Sequence, residues 1–235
     1  MLKCESKLIR FLFELNGLVQ TDRHDWNILW THTQGKNYFY ERLSPYQKVN
    51  HFPVTIELTR KDRMALNIRR MQEKYSPQYF NFVPQSFVLP EQWDLFVDAF
   101  NQQNLVLRNQ FLMSNGQSST SGNRPLRHNY WISKPASSSR GRGIYIISDP
   151  KQVIKTEPCV ISRYIDNPLI LFGHKFDLRI YVVVTSFDPL RIYVYREGLV
   201  RFASEKYSND TFKDENSKFS HLTNYSINKN NENYV

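Results

Sequence analysis

The longest strand predicted from the sequence begins Lys175-Phe176-Asp177-Leu178-Arg179-Ile180-Tyr181-Val182-Val183-Val184 and continues to Phe187. Side chains of a strand alternate between its two faces, so one face is apolar from Phe176 to Val184. The other face carries Lys175, Asp177 and Arg179, spaced about 6 to 7 Å apart. Two cations and a carboxylate suit a polyphosphate and a ribose hydroxyl. A solvent-exposed strand with ion pairs would have the same pattern.

Other short strands surround this one. They are predicted at 84–89, 130–134, 144–148, 159–165, 191–195 and 199–204, with a hairpin turn at Asp188-Pro189-Leu190. Nearer the start, helical spacing of apolar residues predicts helices at 7–16, 64–75 and 91–101, with a strand at 26–31. Helices dominate early and strands late, which favours an α+β fold. Residues 113–129 are rich in Ser, Gly, Asn and Gln, which predicts a flexible surface insertion.

A second candidate for anion binding is the segment from Lys134 to Gly143, which contains Ser138-Ser139-Arg140-Gly141-Arg142-Gly143. Small residues allow backbone N–H groups to approach an anion, and Lys134 and Arg140 add positive charge. No Gly-Lys-Ser/Thr follows, so this is not a Walker loop. A Ser/Gly-rich hairpin turn explains the composition equally well.

Two further patterns are polar residues in unusual places. Arg201 lies in an otherwise apolar or small strand, 198–203, where a guanidinium needs a partner. That partner is either a ligand carboxylate or an acid of the chain itself. His221-Leu222-Thr223-Asn224-Tyr225-Ser226 is a polar cluster that also fits a simple cap or turn.

The net charge of +9 predicts an acidic partner, whether nucleic acid, acidic protein tails or a phosphorylated ligand. Five bases of the 61–75 helix could contact an acidic polymer, or could simply be solvated. Two cysteines, Cys4 and Cys159, are too few for a disulfide framework or a cysteine-based zinc site. No apolar run is long enough for a membrane span, and the first residues lack the features of a signal peptide.

Taken in order, these motifs resemble the tubulin–tyrosine ligase-like family of amino-acid ligases. The matching segments are 131–135, 138–143, 162–165, 175–179, 185–190, 198–203 and 221–226, with 48–53 and 57–63 upstream. They are most similar to the tubulin polyglutamylase branch, in the subgroup that initiates chains on α-tubulin. The resemblance spans about residues 5 to 235, and so many ordered motifs are a specific signal.

The resemblance implies three domains: a small N-terminal α/β domain at 1–58, a central domain at 59–166 and a C-terminal domain at 167–235. The last two form an ATP-grasp cleft, and the C-terminal domain is expected to be incomplete here. The implied chemistry is ATP-dependent amide formation. A glutamate side chain in an acidic tubulin tail is activated as an acylphosphate, and the amine of free L-glutamate then attacks it.

Roles for individual residues also follow from the resemblance. The catalytic residues are Arg179 and Arg201. Those implied for nucleotide binding are Lys134, Arg140, Gly141, Ser162, Arg163, Tyr164, Ile165, Lys175, Phe176, Asp177, Thr223 and Asn224. The resemblance also implies that Arg201 and Ser226 hold the incoming glutamate and that Arg140 meets the protein acceptor.

Magnesium is implied as well, but the family's acidic metal ligands lie further along than residue 235, so this chain alone is expected to be inactive. The implied partners are tubulin and microtubules, with a monomer that binds neither nucleic acid nor membrane. The implied location is the cytoplasm and its microtubule cytoskeleton, cilium and basal body included. Three alternatives remain open: a nucleic-acid-binding module, a microtubule-binding protein without catalysis, and a glycine ligase of the same family.

Overall fold

The computed structural model describes residues 2–3, 6–115, 128–139, 141–208 and 217–234. The chain divides into two compact units, residues 1–63 and 64–235. The three-domain boundaries expected from the family stay a prediction. In the described part of the chain, no helix is both long and apolar enough to cross a membrane.

The first unit is built on a parallel three-stranded sheet. Its strands, in spatial order, are β1 (Leu2–Lys3), β2 (Ile28–Thr31) and β3 (Lys48–Val49), and its helices are α1 (Lys7–Leu15), α2 (Asn37–Glu41) and α3 (Ile56–Thr59). Helix α1 begins where the Ser6 side chain accepts a hydrogen bond from the Ile9 amide. It ends before Gly17, which has a φ of 74° and so provides the left-handed turn that commonly ends a helix. The predicted first helix is confirmed.

Helix α4 (Lys61–Tyr75) contains the boundary between the units, and the second unit then forms around a four-stranded antiparallel sheet. The strands, in spatial order, are β4 (Ser86–Leu89), β7 (Cys159–Arg163), β5 (Trp131–Pro135) and β6 (Tyr145–Ile147). Helix α5 (Trp93–Asn115) packs against this sheet. Between them lies an aromatic core in which Trp131 is fully buried against Phe87 and Phe96.

Helix α5 is longer than the sequence pattern predicts. It continues to Asn115, so the first residues of the predicted flexible insertion are helical. Exposed apolar side chains, including Leu105 and Leu112, interrupt the amphipathic periodicity and hide the continuation. The rest of that insertion, 116–127, lies outside the described residues.

The remaining strands form two small antiparallel sheets. One has the spatial order β12 (Leu199–Phe202), β9 (His174–Arg179) and β8 (Ile170–Leu171), and the other pairs β10 (Val182–Phe187) with β11 (Leu190–Val194). Short helices α6 (Lys218–His221) and α7 (Tyr225–Asn228) follow. The hairpin turn predicted at residues 188–190 is confirmed, because Phe187 pairs with Leu190.

The prediction of a single long strand from 176 to 187 is wrong. The register between β9 and β12 ends at the Arg179–Leu199 pair, and Ile180 and Tyr181 separate β9 from β10. The chain therefore changes partner and continues in a second sheet. The predicted apolar face is split between the two sheets, and the side chain of Leu178 is 58% exposed.

Candidate functional site

Three segments that are distant in the chain meet at a buried polar cluster, formed by Lys175, Tyr164 and His221. Lys175 lies on β9, Tyr164 follows directly after β7, and His221 ends α6. The Lys175 Nζ donates to the Tyr164 Oη over 2.9 Å and lies 4.5 Å from the centre of its ring. The Tyr164 Oη is also 2.9 Å from His221 Nδ1. The 175–179 motif and the 221–226 motif are thus joined through Tyr164 of the 162–165 motif.

Burial sets the charge state of this cluster. It lowers the pKa of Lys175 to about 8, with a further contribution from the charge of Lys134. Burial, and then the charge of Lys175, lowers the pKa of His221 to about 4. Burial also raises the pKa of Tyr164, and that of the neighbouring Tyr207 to about 12. At neutral pH the cluster therefore holds a charged lysine, a neutral histidine and protonated tyrosines.

Lys134 contributes a second positive charge near Lys175. It lies on β5 opposite Val160 of β7 and is half-buried. Two ammonium groups that lie near each other in partly desolvated positions are stabilised by an anion between them. The arrangement suits a polyphosphate, as the sequence predicts for both residues.

Asp177 and Arg201 are paired with each other. They lie directly opposite one another on β9 and β12. The Arg201 Nε donates to Asp177 Oδ1 over 2.8 Å, and a second bond joins Nη2 to Oδ2. The side chains are 39% and 25% exposed, respectively, so solvent reaches the pair. The sequence allows either a ligand carboxylate or an acid of the chain as the partner of Arg201. In the structure the partner is an acid of the chain, Asp177.

The glycine-rich loop, residues 138–143, approaches the polar segment of residues 221–226. Gly141 has a φ of 76°, a conformation that side-chain-bearing residues rarely adopt. A Cβ atom built on Gly141 would collide with the Ile227 side chain and lie 3.5 Å from the Asn224 Cγ. The loop and the 221–226 segment thus come together at Gly141 and Asn224. Arg140 lies outside the described residues.

Of the other predicted nucleotide residues, Ser162 and Arg163 lie on β7, and Ile165 follows it. Ser162 is buried, with its Oγ 2.9 Å from the Ser86 Oγ, whereas Arg163 and Ile165 are exposed. The amides of Arg163 and Tyr164 donate to the carbonyls of Gln85 and Tyr130, so they already have partners. A cavity of about 360 Å³ borders this segment, lined by Asn81, Phe82, Val83, Pro84, Arg163, Tyr164 and Ile165.

The remaining predicted residues surround these groups. Phe176 packs against the Phe202 ring, 5.8 Å away between centroids. Arg179 is exposed at the end of β9, and Thr223 and Ser226 are half-buried between α6 and the end of α7. Within the described ranges, no three His, Cys, Asp or Glu side chains are grouped so that they could hold a metal ion.

Asn228 is a residue that the sequence pattern does not single out. It is fully buried. Its Oδ1 accepts from the amide and hydroxyl of Ser204, and its Nδ2 donates to the carbonyls of Leu222 and Asn224. All four hydrogen-bonding positions of this amide are used. Asn228 therefore fixes the backbone that precedes Tyr225 against the end of β12.

Replacing Asn228 by alanine is expected to lower the free energy of unfolding by about 2 to 3 kcal/mol, because the Ser204 amide and two carbonyls lose their partner. Chemical denaturation followed by circular dichroism measures the change. Asn230→Ala is the matched control: that residue is exposed, and its one side-chain bond is 3.4 Å long. An equal loss in both variants would contradict the role of Asn228.

The chain belongs to the tubulin-tyrosine ligase family, whose family model matches residues 40–235. It is 40% identical over 237 residues to the tubulin polyglutamylase TTLL5 of Mus musculus, a match that covers all of this chain and 16% of that protein. It is 39% identical over 215 residues to the probable tubulin polyglutamylase TTLL2 of Homo sapiens, covering 92% of this chain and 33% of that protein.

A third relative is the tubulin monoglutamylase TTLL4 of Mus musculus, 42% identical over 210 residues, which cover 89% of this chain and 16% of that protein. The chain thus spans a third or less of the length of each of these relatives. The family predicted from the ordered motifs is confirmed.

Proposed function

We propose that this chain provides the nucleotide and amino-acid sites of an ATP-dependent ligase that adds glutamate to glutamate side chains in tubulin tails. The observation that carries the proposal is the pair of partly buried cations, Lys134 and Lys175, beside motifs of a ligase family. The named relatives, two polyglutamylases and a monoglutamylase of tubulin, support the choice of substrate.

Each group in the site has a defined task in this reaction. Lys134 and Lys175 balance the negative charge of the ATP phosphates, and Gly141 lets the loop backbone approach them. Arg179 is exposed at the end of β9, the strand that carries Lys175, and we propose that it meets charge that develops on the transferred phosphoryl group. Asp177 accepts from a ribose hydroxyl. ATP supplies the phosphoryl group that activates the acceptor carboxylate.

The amino-acid site consists of Arg201 and Ser226. A guanidinium can hold the α-carboxylate of free glutamate through two parallel bonds. It has to leave Asp177, or share it, to do so. Magnesium is a further part of the proposal, but the described residues contain no group of ligands that fits it, so no step is assigned to the metal.

The protein acceptor is proposed to be an acidic tail. Helix α4 presents the exposed bases Arg63, Arg70 and Lys74, and the whole chain has a net charge of +9. Opposite charge increases the rate of encounter and makes binding dependent on salt. We infer that the protein acts on microtubules in the cytoplasm.

The test is ATP-dependent incorporation of radiolabelled glutamate into microtubules by the full-length protein. Arg201→Ala is expected to reduce incorporation at least tenfold, because the ligand carboxylate loses a charge-assisted pair. Arg191→Ala, which removes an exposed arginine on β11, is the control and should retain activity. Incorporation without ATP, equal loss in both variants, or labelling by glycine instead of glutamate would contradict the proposal.

A further inference from the structure

The hydroxyl of Tyr164 lies between two side chains that come from different motifs. Lys175 Nζ can only donate, so the Tyr164 oxygen accepts that bond. The Tyr164 hydroxyl also forms a hydrogen bond with the Tyr207 hydroxyl, and it lies 2.9 Å from His221 Nδ1. A neutral His221 with its own proton on Nε2 accepts a bond from Tyr164, and the burial of the ring favours the neutral form.

Packing holds the three groups in this order. His221 is 2% exposed, and Tyr164 is 7% exposed. The His221 ring makes edge contacts with both Tyr164 and Tyr207, at centroid distances of 5.9 and 5.1 Å. The Tyr207 hydroxyl in turn donates to the Asp166 carbonyl over 2.8 Å, which anchors the far side of the histidine.

We propose that Tyr164 and His221 are positioning residues that hold the Lys175 ammonium in place for the nucleotide phosphates. This inference rests on the proposed function and adds roles for two side chains. A lysine has a long and flexible side chain, and fixing it before the ligand arrives reduces the entropy lost on binding. The Tyr164 hydroxyl supplies the fixed acceptor, and His221 fixes the hydroxyl in turn. The family resemblance implies only nucleotide binding for Tyr164, and the sequence pattern offers a cap or turn role for the segment that contains His221.

Tyr164→Phe is the decisive variant because it removes one oxygen and keeps the ring that contacts both Lys175 and His221. The ammonium then loses an acceptor, which destabilises its charged form. The pKa of Lys175 is expected to fall by about one pH unit. The charged or titratable groups that act on Lys175 are Lys134 on β5, Asp177 on its own strand, Tyr164 after β7 and His221 on α6. All except the hydroxyl stay in place in this variant.

The measurement is a pH titration of the Lys175 side chain by carbon-13 and nitrogen-15 NMR, with no nucleotide present. ATP affinity, measured separately by calorimetry, is expected to fall about tenfold in Tyr164→Phe. His221→Phe should act in the same direction, and His221→Gln, which keeps an acceptor, should restore part of the loss. Tyr40→Phe in the first unit removes a hydroxyl that accepts from the Gly35 amide and serves as the control.

The outcomes separate this inference from the proposed function. An unchanged Lys175 titration in Tyr164→Phe overturns the inference, even if ATP binds normally. A shifted titration supports the positioning role even if the unaltered protein binds no ATP. The absence of ATP binding would contradict the proposed function alone. Loss of stability in Tyr164→Phe without a shift in Lys175 means that the hydroxyl is only structural, and it counts against the inference.

Discussion

Lys175→Met is expected to weaken ATP binding by about 10- to 100-fold while leaving the fold intact. Methionine fills a similar volume but removes the charge that is proposed to meet the phosphates, and a charge-assisted hydrogen bond is worth about 1.5 to 3 kcal/mol. The folded environment disfavours the charged lysine, as its lowered pKa indicates. Removing that charge is therefore expected not to reduce the free energy of unfolding.

Calorimetric titration with ATP and chemical denaturation measure the two quantities on the same protein. Lys151→Met is the matched control, because that lysine is exposed on the short 3-10 helix Pro150–Gln152. The pH dependence gives a second check. ATP binding should weaken as the pH rises through about 8, where Lys175 loses its proton. Equal affinities for the two variants would remove Lys175 from the nucleotide site.

Trp131→Ala is expected to produce the largest loss of stability, about 3 to 5 kcal/mol. The indole is fully buried between Phe87 and Phe96, with ring centroids 5.8 and 5.3 Å away. Its Nε1 also donates to the Asn129 Oδ1 over 2.8 Å. Alanine leaves a large apolar cavity and an amide oxygen without this donor.

The free energy of unfolding from urea denaturation tests this expectation. Phe172→Ala replaces an aromatic residue of the same unit that is 89% exposed, and its effect should stay within about 0.5 kcal/mol. A Trp131→Ala variant as stable as Phe172→Ala would mean that the aromatic core is not what stabilises the second unit.

Local patterns predicted most elements of this fold, because each depends on neighbours in the sequence. Helix α1 has its cap at Ser6 and its left-handed glycine at Gly17. The hairpin at Asp188 and Pro189 has turn residues between two apolar strands. The break after Arg179 could not be predicted, because the alternating pattern continues through it and only the end of the partner strand decides where pairing stops.

Some residues of the candidate site could likewise be predicted from the sequence, and others could not. The motifs around Lys134, Gly141 and Lys175 are visible in the sequence, because small and charged residues stand out between apolar strands. The pairing of Asp177 with Arg201 depends on a strand register that joins residues 24 positions apart. Asn228 is hidden in an Asn-rich segment that is typical of a solvated end, and only its burial reveals its role.

In the Asp177–Arg201 pair, Asp177 competes with a ligand carboxylate for the guanidinium of Arg201. A ligand carboxylate that takes Arg201 away from Asp177 binds only in molecules where the pair has opened. Its apparent dissociation constant is therefore the intrinsic constant divided by the open fraction. A second ligand that draws Asp177 away increases that fraction and tightens the binding of the first. Two ligands can thus show positive cooperativity through one pair of side chains, without movement of either strand.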